Sequence, residues 1–429
     1  MRKSKKQIAK EQENIKTHEQ LMKDAKKKKR LQLISNLIFF LAISILALSL
    51  LITLANNSTG EGPSILDTFN NIWAGGGWTY LVPAFGFTLA YFLLWPISLC
   101  LYARASELDV PFFDSYCIGA SEIFYNGVTP FGAGGQPFQI YSYKSIGVDT
   151  SKATGAVLVN YVTYLIATNV FAVLSLIFYP YYVDGLGLIK NAPFDLKWFQ
   201  WVALVGFILN MFSLVFMIIM GTSRHLRNLL VKAMWGVSKW PLLRRFLPKR
   251  VPAFEKYCDD SQIAFKQLWV HRKTFIFSLL IRLVNVACYN AVTYFVIRSC
   301  DIHFDDPTLA FWIAFMATSY STIAVVWLPT PGATGGVEFA MQIVLASIFA
   351  GASLKKEGEL PEAAAITIVW RVLTYYILMA FSFIVSIIFQ LRVNRRISKQ
   401  IKSIEEIDSH IELPEGVREE KETKTEESK

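Results

Sequence analysis

The chain has 429 residues, 53% of them hydrophobic and only 18% charged, with a net charge of +10 and a mean hydropathy of +0.37. That balance excludes a soluble globular protein of ordinary composition, in which about a quarter of the residues are charged. It also speaks against nucleic-acid binding, because no soluble fold is available to present the basic residues as a patch.

Residues 1–30 form a basic segment with 12 Lys or Arg against four acids. Leu31 to Ala55 follows as 25 residues without a charge. As a helix it is roughly 37 Å long, enough to cross a hydrocarbon core of about 30 Å. It is too long for a cleavable signal, and no small-residue cleavage site ends it. Apolar runs at 78–103, 153–180, 198–221, 274–298 and 363–390 predict five more full spans.

The charges set the topology. No Lys or Arg lies between Arg30 and Arg104, whereas the 52-residue loop 222–273 holds 12 against three acids. Arg392, Arg395, Arg396, Lys399 and Lys402 follow the last run. Basic residues beside span ends mark the cytoplasmic side, so both termini and the 222–273 loop are expected there. Trp235, Trp240, Phe246, Phe254 and Trp269 among the cations of that loop predict short amphipathic helices on the membrane surface. The tail 396–429 becomes highly charged and poor in aromatics from about 403, the composition of a disordered segment. Cys100, Cys117, Cys258, Cys288 and Cys300 show neither a CxxC pair nor metal-ligand spacing, and no metal or cofactor is expected.

Two stretches do not read as simple spans. Phe112–Val128 is short, carries Asp114 and Glu122, and runs into Thr129-Pro130-Phe131-Gly132-Ala133-Gly134-Gly135-Gln136-Pro137. Arg104 on one side and Lys144 and Lys152 on the other place both of its ends in the cytoplasm. It therefore predicts a segment that enters the membrane and turns back, with its broken backbone sheltered by protein or a wet cavity. The stretch 308–351 has an apolar run, a break from Pro329 to Gly336, and a second run from Val337. Both of its ends are expected outside, and charge parity allows either a re-entrant hairpin or two full spans. The expected fold is all-α, a polytopic membrane helix bundle of about six full spans plus two re-entrant or hairpin segments.

The two breaks resemble each other. Against the first stands Thr330-Pro331-Gly332-Ala333-Thr334-Gly335-Gly336-Val337-Glu338-Phe339. With one shifted gap, Thr-Pro, Gly-Ala, Gly-Gly and Phe coincide. Each break precedes a helix that starts with small residues and later carries a Thr-Tyr pair, Thr163-Tyr164 and Thr374-Tyr375. One copy enters from the cytoplasm and the other from outside. This makes an inverted repeat, with halves at about 78–180 and 274–390, a ground plan of secondary transporters with midplane sites at interrupted helices.

The candidate site follows from the breaks and from charges at membrane depth. Freed backbone N–H groups at half-helices attract anions, which points to Gly132, Gly134, Gly135, Gln136, Gly335 and Gly336. Ionisable residues inside spans are functional candidates, here Glu122, Arg282, Glu338 and Arg371. Glu338 and Arg371 are expected to pair, and Arg282 suits two-pronged recognition of a phosphate. Asn160 and Tyr164 are candidate polar lining, and Lys144 a candidate headgroup contact at the cytoplasmic flank. A static salt bridge, interhelical hydrogen bonds and a plain topology signal are the competing explanations. No nucleophile–base pair suggests catalysis within the membrane.

The Thr129–Pro137 segment, the segment Leu328-Pro329-Thr330-Pro331-Gly332-Ala333-Thr334-Gly335-Gly336-Val337-Glu338, and Trp370-Arg371 resemble the membrane half of lysylphosphatidylglycerol synthases. That half is a flippase-like domain, also found alone. The resemblance covers about 31–395. It implies a bacterial plasma-membrane protein that moves an anionic or aminoacylated phospholipid, or a lipid-linked molecule, between leaflets. In the full-length synthases that activity is tied to resistance to cationic antimicrobial peptides. Gly335, Gly336, Glu338 and Arg371 match the family motif position by position, while Gln136 stands where an acid is often found. The synthases add a soluble aminoacyl-transfer domain. The 39 residues after the last run and the 52-residue loop are too short for such a core, so lysyltransferase activity is not expected of this chain alone. The alternative is a membrane component of a phosphatidylglycerol lysyltransferase-type system, with a soluble transferase partner on another chain.

Overall fold

A computed structural model describes residues 70, 72–185, 196–240, 250–300, 302, 306–351 and 363–410. The basic segment 1–30, the expected span 31–55, most of the loop after it and the 352–362 connection lie outside the described residues. Helices account for nearly all of the described secondary structure: α1 Trp78–Leu94, α2 Ile97–Ala105, α3 Phe112–Val128, α4 Gly135–Ser145, α5 Thr150–Gly185, α6 Leu196–Thr222, α7 Arg224–Val237, α8 Val251–Val270, α9 Arg272–Ser299, α10 Pro307–Val325, α11 Gly336–Gly351, α12 Ala363–Arg371, a π turn Val372–Ile377, and α13 Leu378–His410.

Six stretches are long and apolar enough to cross a membrane: Trp78–Ala105, Thr150–Phe178, Trp198–Ile219, Arg272–Ser299, Pro307–Val325 and Ala363–Arg396. Five of them match the spans expected from the sequence. The sixth, Pro307–Val325, belongs to a stretch left open between hairpin and full spans, and its partner after the break is the shorter apolar helix Gly336–Ile348.

The loop 222–273 contains two helices, as its amphipathic pattern predicts. Ser223 caps α7 by accepting the Leu226 N–H at 3.3 Å. Arg227 ties α7 to α8 through Asp259, at 2.9 and 2.8 Å, and Glu255, at 3.0 Å. The last helix continues to His410, and residues 411–429 lie outside the described residues. Ile397, Ile401, Ile404 and Ile407 recur at helical spacing, three or four residues apart, a local signal that the high overall charge masks.

Helix packing depends on small residues and polar pins, as it does where lipid removes the hydrophobic drive between helices. A Cβ on Gly206 would run into the Ile323 carbonyl, so α6 and α10 touch backbone to backbone there. Asn290 donates to Ser319 at 2.7 Å, and the Thr293 and Thr318 hydroxyls meet at 2.5 Å, joining α9 to α10. The Ser382 hydroxyl sits inside the α3 ladder. It accepts the Phe124 N–H at 2.8 Å and donates to the Ala120 carbonyl at 2.6 Å. Asp114, at the start of α3, pairs with Arg392 and Arg396 midway along the last helix. Those contacts fix α3 antiparallel to α13.

Candidate functional site

The two breaks share one turn geometry. In the first, Phe131 and Gly132 have φ of 58° and 61°, and the Ala133 N–H donates to the Pro130 carbonyl at 3.3 Å. In the second, Gly332 and Ala333 have φ of 59° and 52°, and the Thr334 N–H donates to the Pro331 carbonyl at 3.1 Å. Two consecutive positive-φ residues closed by such a bond make a type I′ turn. The turns match without a gap: Phe131 corresponds to Gly332 and Gly132 to Ala333, while Gly135 and Gly336 each start the following helix. The shifted gap suggested by Gly-Ala in the sequence is therefore corrected. The turn conformation is shared although the glycine occupies a different turn position in each copy, and the breaks part at the next glycine, where Gly134 has φ of −84° and Gly335 of 89°.

The breaks also meet. Pro130 and Pro331 lie side by side in an antiparallel bridge. In the gapless register these are equivalent residues, and self-pairing of equivalent positions is what a two-fold axis produces. Tyr375 spans the junction, donating its hydroxyl to the Gly127 carbonyl at 3.0 Å while its ring packs where a Gly332 side chain would be.

Beside the junction is a cavity of about 310 Å³. Its wall takes Phe131 and Gly132 from one break and Gly332 and Ala333 from the other, and is largely apolar and aromatic. Of the residues expected at the site, Gly132, Tyr164 and Arg371 form part of this wall. Arg371 is 3% exposed. Its Nε meets Glu338 at 2.7 Å, its Nη2 donates to the Gly332 carbonyl at 2.8 Å, and its guanidinium lies 4.0 Å from the Tyr375 ring centre. The expected Glu338–Arg371 pair is thus formed. The π turn begins directly after Arg371, and it brings Thr374 and Tyr375 onto the same wall. Single π turns inside helices recur at functional sites.

A second polar cluster lies behind the wall. Arg282 is 1% exposed and donates from Nη2 to Asn160 at 2.8 Å, while its Nε and Nη1 have no hydrogen-bond partner. Its guanidinium stacks 4.4 Å from the Trp95 ring centre and 5.9 Å from that of Tyr164. Trp95 donates its Nε1–H to Glu122 at 3.0 Å. Gln136 and Gln139 donate to the same carboxylate at 3.1 and 2.9 Å.

Three of the glycine N–H groups expected to be bare are instead capped by side chains. The Gly134 N–H donates to Thr129 Oγ1 and the Gly135 N–H to Asn126 Oδ1, both at 2.8 Å. The Gly335 N–H donates to Glu338 at 2.7 Å. Side-chain caps satisfy these donors because an unpaired buried amide is costly. Gly134 and Gly135 serve close packing instead: a Cβ on Gly135 would lie 2.5 Å from both Glu122 and Asn126. Lys144 is exposed in the last turn of α4 and is not part of the cavity wall.

Sequence reasoning missed Trp95, Tyr289, Asn290 and Ser319 as wall residues. The polar pair was visible as amide and hydroxyl groups in mid-span, yet such residues more often only join helices.

Apolar spans packed around broken helices and a cavity beside their junction define a polytopic helical membrane protein. The chain matches, over residues 37–382, the family described as the lysylphosphatidylglycerol synthase TM region. It belongs to that family, whose members have a lipid-related role in the membrane. No curated protein matches the chain closely enough to add to this assignment.

Proposed function

We propose that this protein is a lipid flippase or lipid-headgroup transporter of a bacterial plasma membrane. The observation that carries the reading is the meeting of two equivalent Pro/Gly breaks at Pro130 and Pro331 beside one cavity whose wall holds the buried Arg371. In this reading both termini and the α7–α8 region face the cytoplasm, following the basic residues. The α3–α4 hairpin then enters from inside and the α10–α11 pair from outside. The two halves rock about the junction, so the cavity opens to each leaflet in turn. Headgroups occupy the cavity, and acyl chains stay in lipid along the apolar helix faces.

The test is purified protein in liposomes with fluorescent headgroup-intact lipids, following dithionite accessibility. Protein-dependent equilibration of labelled anionic lipid between leaflets is the expected result. Folded protein that moves no lipid sinks the reading. Lipid aminoacylation supported only when a separate soluble transferase is added would favour the alternative, a membrane component of a lipid-modifying system.

A further inference from the structure

In the transport reading a lipid straddles the mouth of the cavity, with its headgroup inside and its acyl chains outside. Among the described wall residues only Phe131 and Val326 are exposed, at 55% and 40%, and the rest are buried or half-buried. These two therefore mark where protein leaves the wall uncovered. Phe131 belongs to the first break, and Val326 ends α10 just ahead of the second. Each half thus supplies one rim residue. Both are apolar, and an apolar rim suits hydrocarbon better than water.

Folding does not explain the choice of Phe131. Its φ of 58° puts a bulky side chain in the left-handed region, where such residues are genuine outliers. The equivalent residue of the second break is Gly332, with φ of 59°, and glycine bears that conformation freely. Nor does packing hold the ring, since more than half of the residue's surface is free of protein. The second break fills the corresponding space differently. There the Tyr375 ring occupies the place of a Gly332 side chain, is 8% exposed, and is tied down through its hydroxyl to the Gly127 carbonyl. One turn has a fixed ring beside it, and the other carries a ring with no such tie. Strain kept where neither conformation nor packing repays it points to function.

We infer that Phe131 gates a lateral mouth of the cavity: its ring stands between the cavity and the acyl-chain region, and turns aside as a headgroup passes. The lipid then has its polar end in the cavity and its chains crossing the rim between Phe131 and Val326. The inference deepens the transport reading above and rests on it for the movement of the lipid. Its claim about access is separate.

Access is measured on the full chain in liposomes, with its five native cysteines replaced and Thr322→Cys placed on the cavity wall. The probe is pyrene maleimide, which partitions into the bilayer. Phe131→Gly should raise its reaction rate at position 322 by at least about tenfold, and Phe131→Trp should lower it. Phe131→Gly should also leave the thermal unfolding midpoint in detergent unchanged or higher, because glycine relieves the left-handed strain and the ring has little packing to lose. In the dithionite assay, Phe131→Gly should speed the equilibration of labelled anionic lipid and Phe131→Trp should slow it. Equal reaction rates with Phe, Gly and Trp at position 131 overturn the inference. So does a Phe131→Gly chain that fails to fold or melts lower, which would make the ring structural. A charged methanethiosulfonate reagent reacting at position 322 as fast as pyrene maleimide would place the mouth in water and overturn it too. Gated access without any lipid movement would sink the transport reading and leave this inference standing.

Discussion

At the residue scale, the Glu338–Arg371 pair holds the second break in shape. One Arg371 nitrogen holds Glu338, another holds the Gly332 carbonyl, and Glu338 in turn caps the Gly335 N–H. Removing the carboxylate strands a charge that is 3% exposed. Glu338→Ala is expected to cost about 3–5 kcal/mol, the usual penalty for splitting a buried pair, read as a lower unfolding midpoint in detergent. Gly332 is constrained twice, by its φ of 59° and by the Tyr375 ring that fills its side-chain space. Gly332→Ala should destabilise by more than about 1 kcal/mol. Gly86→Ala is the control, since a Cβ there meets nothing within 4 Å. In mid-helix it should be neutral or stabilising by up to about 1 kcal/mol. Equal effects of the two alanines would mean that the turn does not constrain the fold.

At the scale of elements, each break is a type I′ turn followed by a helix that starts at the second glycine of a Gly-Gly pair. The sequence showed that two such elements exist, because Thr-Pro and Gly-Gly recur at equal spacing. It did not show how their amides are satisfied. Those partners come from neighbouring turns and helices, such as Asn126 for Gly135. Nor did composition show the π turn after Arg371, since the helix is apolar nearly all round and a one-residue shift of register leaves no mark on its pattern. The contact between turns is directly testable. Antiparallel bridged residues have Cα atoms about 4.5–5.5 Å apart, within the range a disulfide spans. Pro130→Cys with Pro331→Cys, in a chain whose five native cysteines are replaced, should cross-link on mild oxidation in membranes. The locked protein should lose lipid movement and regain it on reduction. Failure to cross-link would separate the breaks.

At the scale of the whole molecule, the inverted arrangement makes a labelling prediction. With Lys144→Cys at the base of one hairpin and Asp306→Cys at the start of the other, an impermeant thiol reagent applied to intact cells should label position 306 only. Position 144 should react after permeabilisation. Labelling of both from one side would remove the inversion. The sequence by itself determined the class of fold, the positions of the long spans and the pairing of Glu338 with Arg371. Each of these follows from local rules: a run must be apolar to lie in lipid, and a charge left in such a run needs a partner. Tertiary structure alone decided that Pro130 meets Pro331, that Arg282 stacks on Trp95 with two donors left over, and that Glu122 is consumed by Gln136 and Gln139. Those outcomes depend on which helix faces turn toward one another. In an apolar chain almost every face is hydrophobic, so periodicity carries little information about which face is inside.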